Sequence, residues 1–155
     1  MEYSITDIED AIIDALKASV VGSYCQKIES FQFAGGDEEE EIRLLAKTLP
    51  CVLIVYKGGD YKNLQMVTDR TMTFWLLAAA QSLRSPLSSK EARRKTAGTY
   101  QMLDDIRTAL MAHRLGLQID PLSPQKEEAL INAKGFSAYY IEVKTRARYA
   151  MSTGG

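Results

Sequence analysis

Few residues of this chain have the type and spacing that enzymatic chemistry requires. The single histidine, His113, has neither a nucleophile nor an orienting carboxylate at a recognisable spacing. It follows a helical repeat, and a histidine near the C-terminus of a helix is stabilised by the helix dipole. Two adjacent acids, Asp104 and Asp105, would point about 100° apart on a helix, so they do not easily share one site. We therefore expect the helix dipole to stabilise His113, expect Asp105 to belong to the ordinary surface, and predict no catalytic residue.

Metal, phosphate and thiol chemistry also lack their sequence signatures. No histidines, cysteines or acids have the spacing of a zinc or calcium site. Gly58-Gly59 is not followed by Lys-Ser/Thr, so it predicts a turn at residues 57–60 and not a phosphate-binding loop. Cys25 and Cys51 predict two buried or half-buried free thiols in a reducing compartment. We expect no cofactor and no metal.

A polar connection at residues 83–95 is the unusual charged segment. Apart from one acid, its charged residues are the cations Arg84, Lys90, Arg93, Arg94 and Lys95. Such a segment is a mobile solvated loop, a docking loop for an acidic protein surface, or a phosphate contact with nucleic acid. Aromatic residues are not interleaved with these cations, which argues against binding of single strands. The net charge of −1 and the pI near 5.9 leave no footprint for general nucleic-acid or membrane binding.

Size and composition predict one soluble domain. The chain has 155 residues, of which 46% are hydrophobic and 25% charged, as is usual for globular proteins. We assign residues 1–150 to a single α+β domain and residues 151–155 to a flexible tail. No apolar run approaches the ~20 residues of a membrane helix, and no secretory signal opens the chain. A cytoplasmic location is expected.

Three segments have the periodicity of helices. In the first, apolar residues recur every three or four positions, Thr6 and Glu9 form a capping box, and Gly22 ends the repeat. In the second, Asp37 caps an acidic first turn that matches the helix dipole. The acidic run also resembles a cation site, but a solvated first turn explains it more simply. The predicted helices cover residues 6–22, 37–49 and 99–116, with a start of the third as early as Ser89 left open.

Apolar runs and alternations predict five strands, at residues 24–33, 51–56, 68–82, 129–132 and 136–149. The second is continuously apolar, as in a buried central strand, and pairs with the third as an antiparallel hairpin. The third is apolar on both faces in its second half, so we expect cover on both sides. Trp75 and Leu77 lie on one of those faces and are candidates for contact with a partner protein.

The order of elements is helix, strand, helix, two strands, helix and two strands. Short connections favour antiparallel pairing. The sequence therefore predicts an α+β fold, a mainly antiparallel sheet of about four to five strands with three helices packed on one face.

Three segments together resemble a known family. They are Tyr-Ser-Ile-Thr-Asp-Ile-Glu-Asp-Ala-Ile-Ile-Asp-Ala-Leu-Lys at residues 3–17, Gly-Thr-Tyr-Gln-Met-Leu-Asp-Asp-Ile-Arg at 98–107 and Gly-Leu-Gln-Ile-Asp-Pro-Leu at 116–122. They resemble the small conserved protein that Mu-like phages and prophages encode among their tail-morphogenesis genes, and the resemblance covers nearly the whole chain. That family is similar in fold to phage tail terminators, α+β proteins that form a six-membered ring at the head-proximal end of a long tail.

The resemblance implies a structural protein without a cofactor. Such a ring caps the tail tube, fixes its length and offers a surface to the head connector. The implied partners are further copies of the chain, as a hexamer on tails and a possible monomer in solution, the tail tube protein and the head-connector proteins. The implied location is the host cytoplasm and then the virion tail. No catalytic role is transferred to any residue, and Thr99, Tyr100, Leu103 and Ile106 would pack or cap the third helix.

A ring requires two different complementary patches on each subunit. We expect the stretch around Trp75 and Leu77 and the exposed sheet edges to provide one of them. We expect the cations of residues 84–95 to contact an acidic rim of the tail tube, without specific nucleic-acid or membrane binding. Three alternatives stay open: a neck or head-closure subunit, a small cytoplasmic enzyme with an unmarked cleft, and a host-directed binding module.

Overall fold

A five-stranded sheet organises the chain. The computed structural model of the protein describes residues 3–45, 50–82 and 88–150, with only the backbone described at residues 43–45. The strands are β1 (Lys27–Ser30), β2 (Cys51–Leu64), β3 (Val67–Gln81), β4 (Ser123–Ala133) and β5 (Phe136–Ala150). They follow the order β1-β2-β3-β5-β4. β1 pairs with β2 in parallel and the other three pairings are antiparallel, which confirms the predicted hairpin and the α+β class.

The helices differ in number from the prediction. They are α1 (Ile5–Ala18), α2 (Val20–Tyr24), α3 (Glu38–Leu45), α4 (Lys90–Arg94) and α5 (Thr99–Leu110). The predicted order of the longer elements is confirmed, and α2 and α4 are additional short helices. Within the described residues, no helix is long and apolar enough to cross a membrane.

α1 and α5 cover one face of the sheet and form the larger core with it. The predicted apolar spacing of α1 is confirmed at Ile8, Ile12 and Leu16, which are fully buried, whereas Val20 is exposed. The alternation of β3 is also confirmed, because the side chains on its helix-covered face belong to this core. They are Met72, Phe74, Leu76, Ala78 and Ala80.

The opposite face of the sheet carries a second core. Ile42 of α3 packs there with Leu53 and Leu77. The second half of β3 is therefore covered on both sides, as predicted, but Ile42 of the same chain contributes the cover that was expected from a partner. The expectation that all helices lie on one face is wrong, because α3 lies on this second face.

The ends of α1 differ from the prediction because serines cap it. Ser4 Oγ accepts a hydrogen bond from the Asp7 backbone N (3.1 Å), and Asp7 Oδ2 accepts one from the Ser4 backbone N (2.9 Å). This capping box replaces the predicted pair of Thr6 and Glu9, and Thr6 already lies inside the helix. Ser19 ends α1 and its Oγ caps α2, so the predicted end at Gly22 is wrong.

The predicted turn at residues 57–60 is wrong, since β2 continues through it. Gly58 has a φ of +122° and lies at a register shift, after which the ladder continues from Gly58–Thr73 to Leu64–Val67. A glycine with positive φ allows a β-bulge without ending the strand. The hairpin turn instead contains Met66, which has a φ of +67°.

Other boundaries shift where tertiary contacts override the local pattern. The third helix ends at Leu110 and not at Gly116, because Ala112 adopts a φ of +65° and its N–H donates to the carbonyl of Leu122. β1 is shorter than predicted and β4 is longer. α3 is described only to Leu45, so its predicted end at residue 49 and the tail at 151–155 lie outside the described residues.

Candidate interaction surfaces

The described cations of the predicted docking segment lie on and next to α4. We call Lys90, Arg93, Arg94 and Lys95 the α4 patch. Lys90 and Arg94 are exposed. Arg84, the remaining predicted cation, lies outside the described residues.

Two of the four cations of the α4 patch have contacts within the chain. Arg93 donates to Ser89 Oγ (3.0 Å) and to the Tyr100 hydroxyl (2.6 Å). The bond from Arg93 to the Tyr100 hydroxyl holds the pKa of Tyr100 below its ordinary value. Lys95 Nζ donates to the Gln81 carbonyl (2.5 Å). Substitutions at Lys90 and Arg94 therefore test contact with a partner and leave the bonds of Arg93 and Lys95 intact.

The two candidate apolar residues occupy different environments. Leu77 is 1% exposed and belongs to the second core, so it does not lie on the surface of the subunit. Trp75 is half-buried and stacks on Tyr140 at a centroid distance of 4.0 Å. The Lys57 ammonium lies 4.0 Å above the Trp75 ring, and the indole Nε1 donates to Glu142 (3.1 Å). Of the pair, Trp75 alone reaches the surface.

The far end of the β2–β3 hairpin carries exposed apolar side chains that sequence reasoning missed. Tyr61 and Met66 are each 64% exposed, and Leu64 is 37% exposed. They were missed because the hairpin was predicted to turn at residues 57–60. We call these three residues the hairpin tip.

A cluster of arginines at the end of β5 was also missed. Arg148 forms two hydrogen bonds with Asp69 (2.7 and 3.1 Å), and these bonds hold the pKa of that buried carboxyl below its ordinary value of 3.8. Arg146 lies 3.8 Å from the same carboxylate and 2.9 Å from that of Asp120. With the exposed Arg114, these residues line a cleft of about 490 Å³, which we call the arginine cleft.

No chain-local pattern could have revealed the arginine cleft. Its charged residues come from β3, from β5 and from the loop between α5 and β4. The alternating cations of β5 were visible in the sequence as one polar face of that strand. Their pairing with Asp69 follows from the register of β3 and β5, in which Asp69 is opposite Arg148.

The residues considered for catalysis remain apart. His113 is exposed beyond the end of α5, and Asp104 lies 3.7 Å from Arg107 in an exposed ion pair. Asp105 is half-buried and accepts a hydrogen bond from the Tyr24 hydroxyl (2.7 Å), so it is a packing contact and not the ordinary surface residue expected. Burial, with help from this bond, raises the pKa of Tyr24.

The cysteines are free and buried, as predicted. Burial raises the pKa of each thiol to about 12, which disfavours the nucleophilic thiolate. Within the described ranges, no group of three or more His, Cys, Asp or Glu is placed to hold a metal ion.

Comparison with known proteins places the chain in a family. The family model described as Bacteriophage Mu, Gp37 matches residues 4–149. The chain belongs to this Mu-like phage family. The match covers both of the helices whose residues carried the resemblance. No curated protein matches the chain.

Proposed function

We propose that the protein is a tail-terminator-like ring subunit, which caps the tail tube of a Mu-like phage and joins it to the head connector. The observation that carries the proposal is the family match over residues 4–149. The α+β sheet with α1 and α5 on one face agrees with the fold expected of such a subunit. The exposed contact surfaces described above supply the physical support, because a ring subunit acts through them.

The hairpin tip is suited to contact with another protein. Its three exposed side chains lie within six consecutive residues, at the end of a strand pair that continues past the second core. Fully burying an exposed methionine side chain contributes about 1.5–3 kcal/mol. Met66, at 64% exposure, would gain part of this in a partner, and Leu64, at 37%, a smaller part. A ring neighbour or the tail tube that covers the hairpin tip would therefore gain binding free energy.

The two edges of the sheet differ, as a ring contact requires. At one edge, β1 pairs with β2 only as far as Ile54, which leaves Gly58–Leu64 of β2 beyond it. At the other edge, β4 carries Pro124 and two register shifts, features that limit strand addition. Unlike edges make a head-to-tail contact between copies, and such contacts close into a ring when the rotation permits.

The α4 patch is the proposed contact with an acidic rim of the tail tube. One variant reverses its exposed members, as Lys90→Glu and Arg94→Glu. We expect this variant to fold normally and to lower the yield of complete tails by about tenfold or more, because like charges would then meet at the contact. The matched control is Lys17→Glu, the same change at an exposed lysine of α1. Unchanged tail yield from the folded patch variant would refute this contact.

Electron microscopy of particles from a phage or prophage that lacks the gene tests the proposed role. Tails of uncontrolled length, restored to normal length by a plasmid copy, are the expected result. Headless tails of normal length would assign the chain to the neck, and normal virions would contradict both roles.

A further inference from the structure

The charges of the chain are divided unevenly along the sequence. Residues 1–41 contain eleven Asp and Glu against two Lys and Arg, a net charge of −9. Residues 42–155 contain nine acids against seventeen bases, a net charge of +8. The near-neutral total therefore consists of two strongly charged parts of opposite sign. Such a chain has an electrostatic polarity wherever the fold keeps the two parts separate.

The length of β3 keeps the acidic start of α3 apart from the cations of β5. α3 packs through Ile42 in the second core, which also contains Leu77 of β3. Arg148 pairs with Asp69, which lies eight residues from Leu77 along β3, roughly 26 Å at the usual rise per residue. The acidic start of α3 and the arginine cleft are therefore two separate patches of one subunit.

The acidic side presents its charges to solvent. Residues 37–40, Asp-Glu-Glu-Glu, are exposed at the start of α3. Asp37 Oδ1 accepts hydrogen bonds from the backbone N of Glu39 (3.0 Å) and of Glu40 (3.4 Å), which fixes this turn as the start of the helix. The two bonds to Asp37 hold the backbone from which the side chains of Glu38 and Glu40 extend, so binding a partner orders these side chains but not the turn. We call residues 37–40 the acidic turn.

The arginines of the arginine cleft have more N–H donors than the carboxylates of the cleft can accept. Arg114, Arg146 and Arg148 of the arginine cleft carry three positive charges against the two carboxylates of Asp69 and Asp120. Each guanidinium has about five N–H donors, so two carboxylates leave many of them available.

A second cleft adds a further cation. It holds about 330 Å³, shares Asp120 and Arg146 with the arginine cleft, and is lined by Lys144. Together the two clefts offer an open, cationic surface to carboxylate groups.

We propose that the arginine cleft of one copy binds the acidic turn of a second copy. The inference rests on the proposed function, because it needs copies that are neighbours in an assembly. Arginine binds carboxylates in bidentate geometry, and a volume of about 490 Å³ admits the ends of two glutamate side chains. The acidic turn and the arginine cleft are different patches of one chain, so the contact between copies is head-to-tail and repeats around a ring.

A charge swap tests the contact. The acid-reversed variant carries Glu38→Lys and Glu40→Lys, and the base-reversed variant carries Arg114→Glu and Lys144→Glu. Neither variant alters Arg146 or Arg148, whose ion pairs with Asp69 and Asp120 are internal. The swapped variant combines all four substitutions. Each is supplied from a plasmid to a lysogen that lacks the gene, and infectious phage are counted.

The expected pattern is loss followed by rescue. Each reversed variant juxtaposes like charges and lowers the titre about tenfold or more, whereas the swapped variant restores complementarity and returns to within about threefold of the wild type. Wild-type titres from both reversed variants would overturn the proposal. So would a swapped variant that folds, as judged by circular dichroism and urea unfolding, but gives no higher titre than either reversed variant.

Controls separate charge effects from loss of the fold. Asp10→Lys and Lys17→Glu make the same reversals at exposed positions of α1 and leave the titre unchanged. If a reversed variant does not fold, glutamine replaces each of its charges. The two glutamine variants are then combined in one chain. If the two surfaces touch, the combined variant lowers the titre no further than either variant alone. If they do not touch, its fold-loss of titre is the product of the two separate fold-losses.

The proposed contact and the proposed role fail in different experiments. Rescue by the swapped variant, together with tails of normal length in the absence of the gene, would keep the contact and remove the terminator role. Loss of length control without rescue would keep the role and remove the contact.

Discussion

Replacement of Leu77 by alanine tests whether this side chain belongs to the core of the subunit or to a contact between subunits. Leu77 is 1% exposed and lies in the second core with Leu53 and Tyr140. Truncating a leucine at such a site costs the transfer free energy of the lost carbons and leaves a cavity, together about 2–5 kcal/mol. For a chain of this length, each kcal/mol lowers Tm by about 2–4 °C. A loss of about 3 kcal/mol therefore lowers Tm by about 6–12 °C.

Urea unfolding followed by tryptophan fluorescence measures this loss. Trp75 is the single tryptophan of the chain, and it lies two residues from Leu77 on the same face of β3. Its emission therefore reports the unfolding of the region that the substitution affects. The matched control is Leu64→Ala at the hairpin tip, where the leucine is already 37% exposed and truncation costs less than about 1 kcal/mol.

The outcome separates two accounts of Leu77. If Leu77→Ala unfolds at the same urea concentration as the wild type but fails to assemble, the side chain acts between subunits and its place in the second core is wrong. A large loss of stability in the isolated subunit confirms the core.

Three further predictions concern stability. Gly98→Ala places a Cβ 2.7 Å from the Ala92 carbonyl oxygen, so thermal unfolding should show a loss of about 1–3 kcal/mol, whereas Gly36→Ala, with open space around it, should change Tm little. Ser4→Ala removes the capping box of α1 and should cost about 1 kcal/mol in urea unfolding; no change in the midpoint would contradict the cap. The pKa of Asp69 is held below 3.8, so its charge stabilises the fold above that pH and the contribution is lost as the pH falls through the lowered value. The Tm difference between wild type and Asp69→Asn should therefore be largest near neutral pH and shrink below about pH 4, and a difference independent of pH would count against the ion pair.

The elements that could be predicted from sequence are those whose pattern repeats over many residues. The spacing of Ile8, Ile12 and Leu16 predicts the buried face of α1, since a helix returns to the same side every three or four residues. The alternation in β3 and β5 predicts both strands within one residue at each end. These patterns repeat over several turns or alternations, so most of their positions are buried as predicted, although Val20 beyond the end of α1 is exposed.

The boundaries that were wrong depend on contacts between distant residues. Gly58 and Gly59 are typical of a turn, but the partner strand β3 continues beside them and accommodates a bulge. The arginine cleft requires the β3–β5 register and a loop that returns to Arg146 through the Asp120 N–H (2.9 Å). Neither feature is determined within a window of ten or twenty residues.

Locating the protein on purified phage tails tests the central claim most directly. A small tag is added to the C-terminus of the chain, phage viability is confirmed, and gold-labelled antibody is viewed by electron microscopy. The account predicts a single cluster of label at the head-proximal end of each tail. Label spread along the tube, label at the far end, or its absence from complete tails would contradict it.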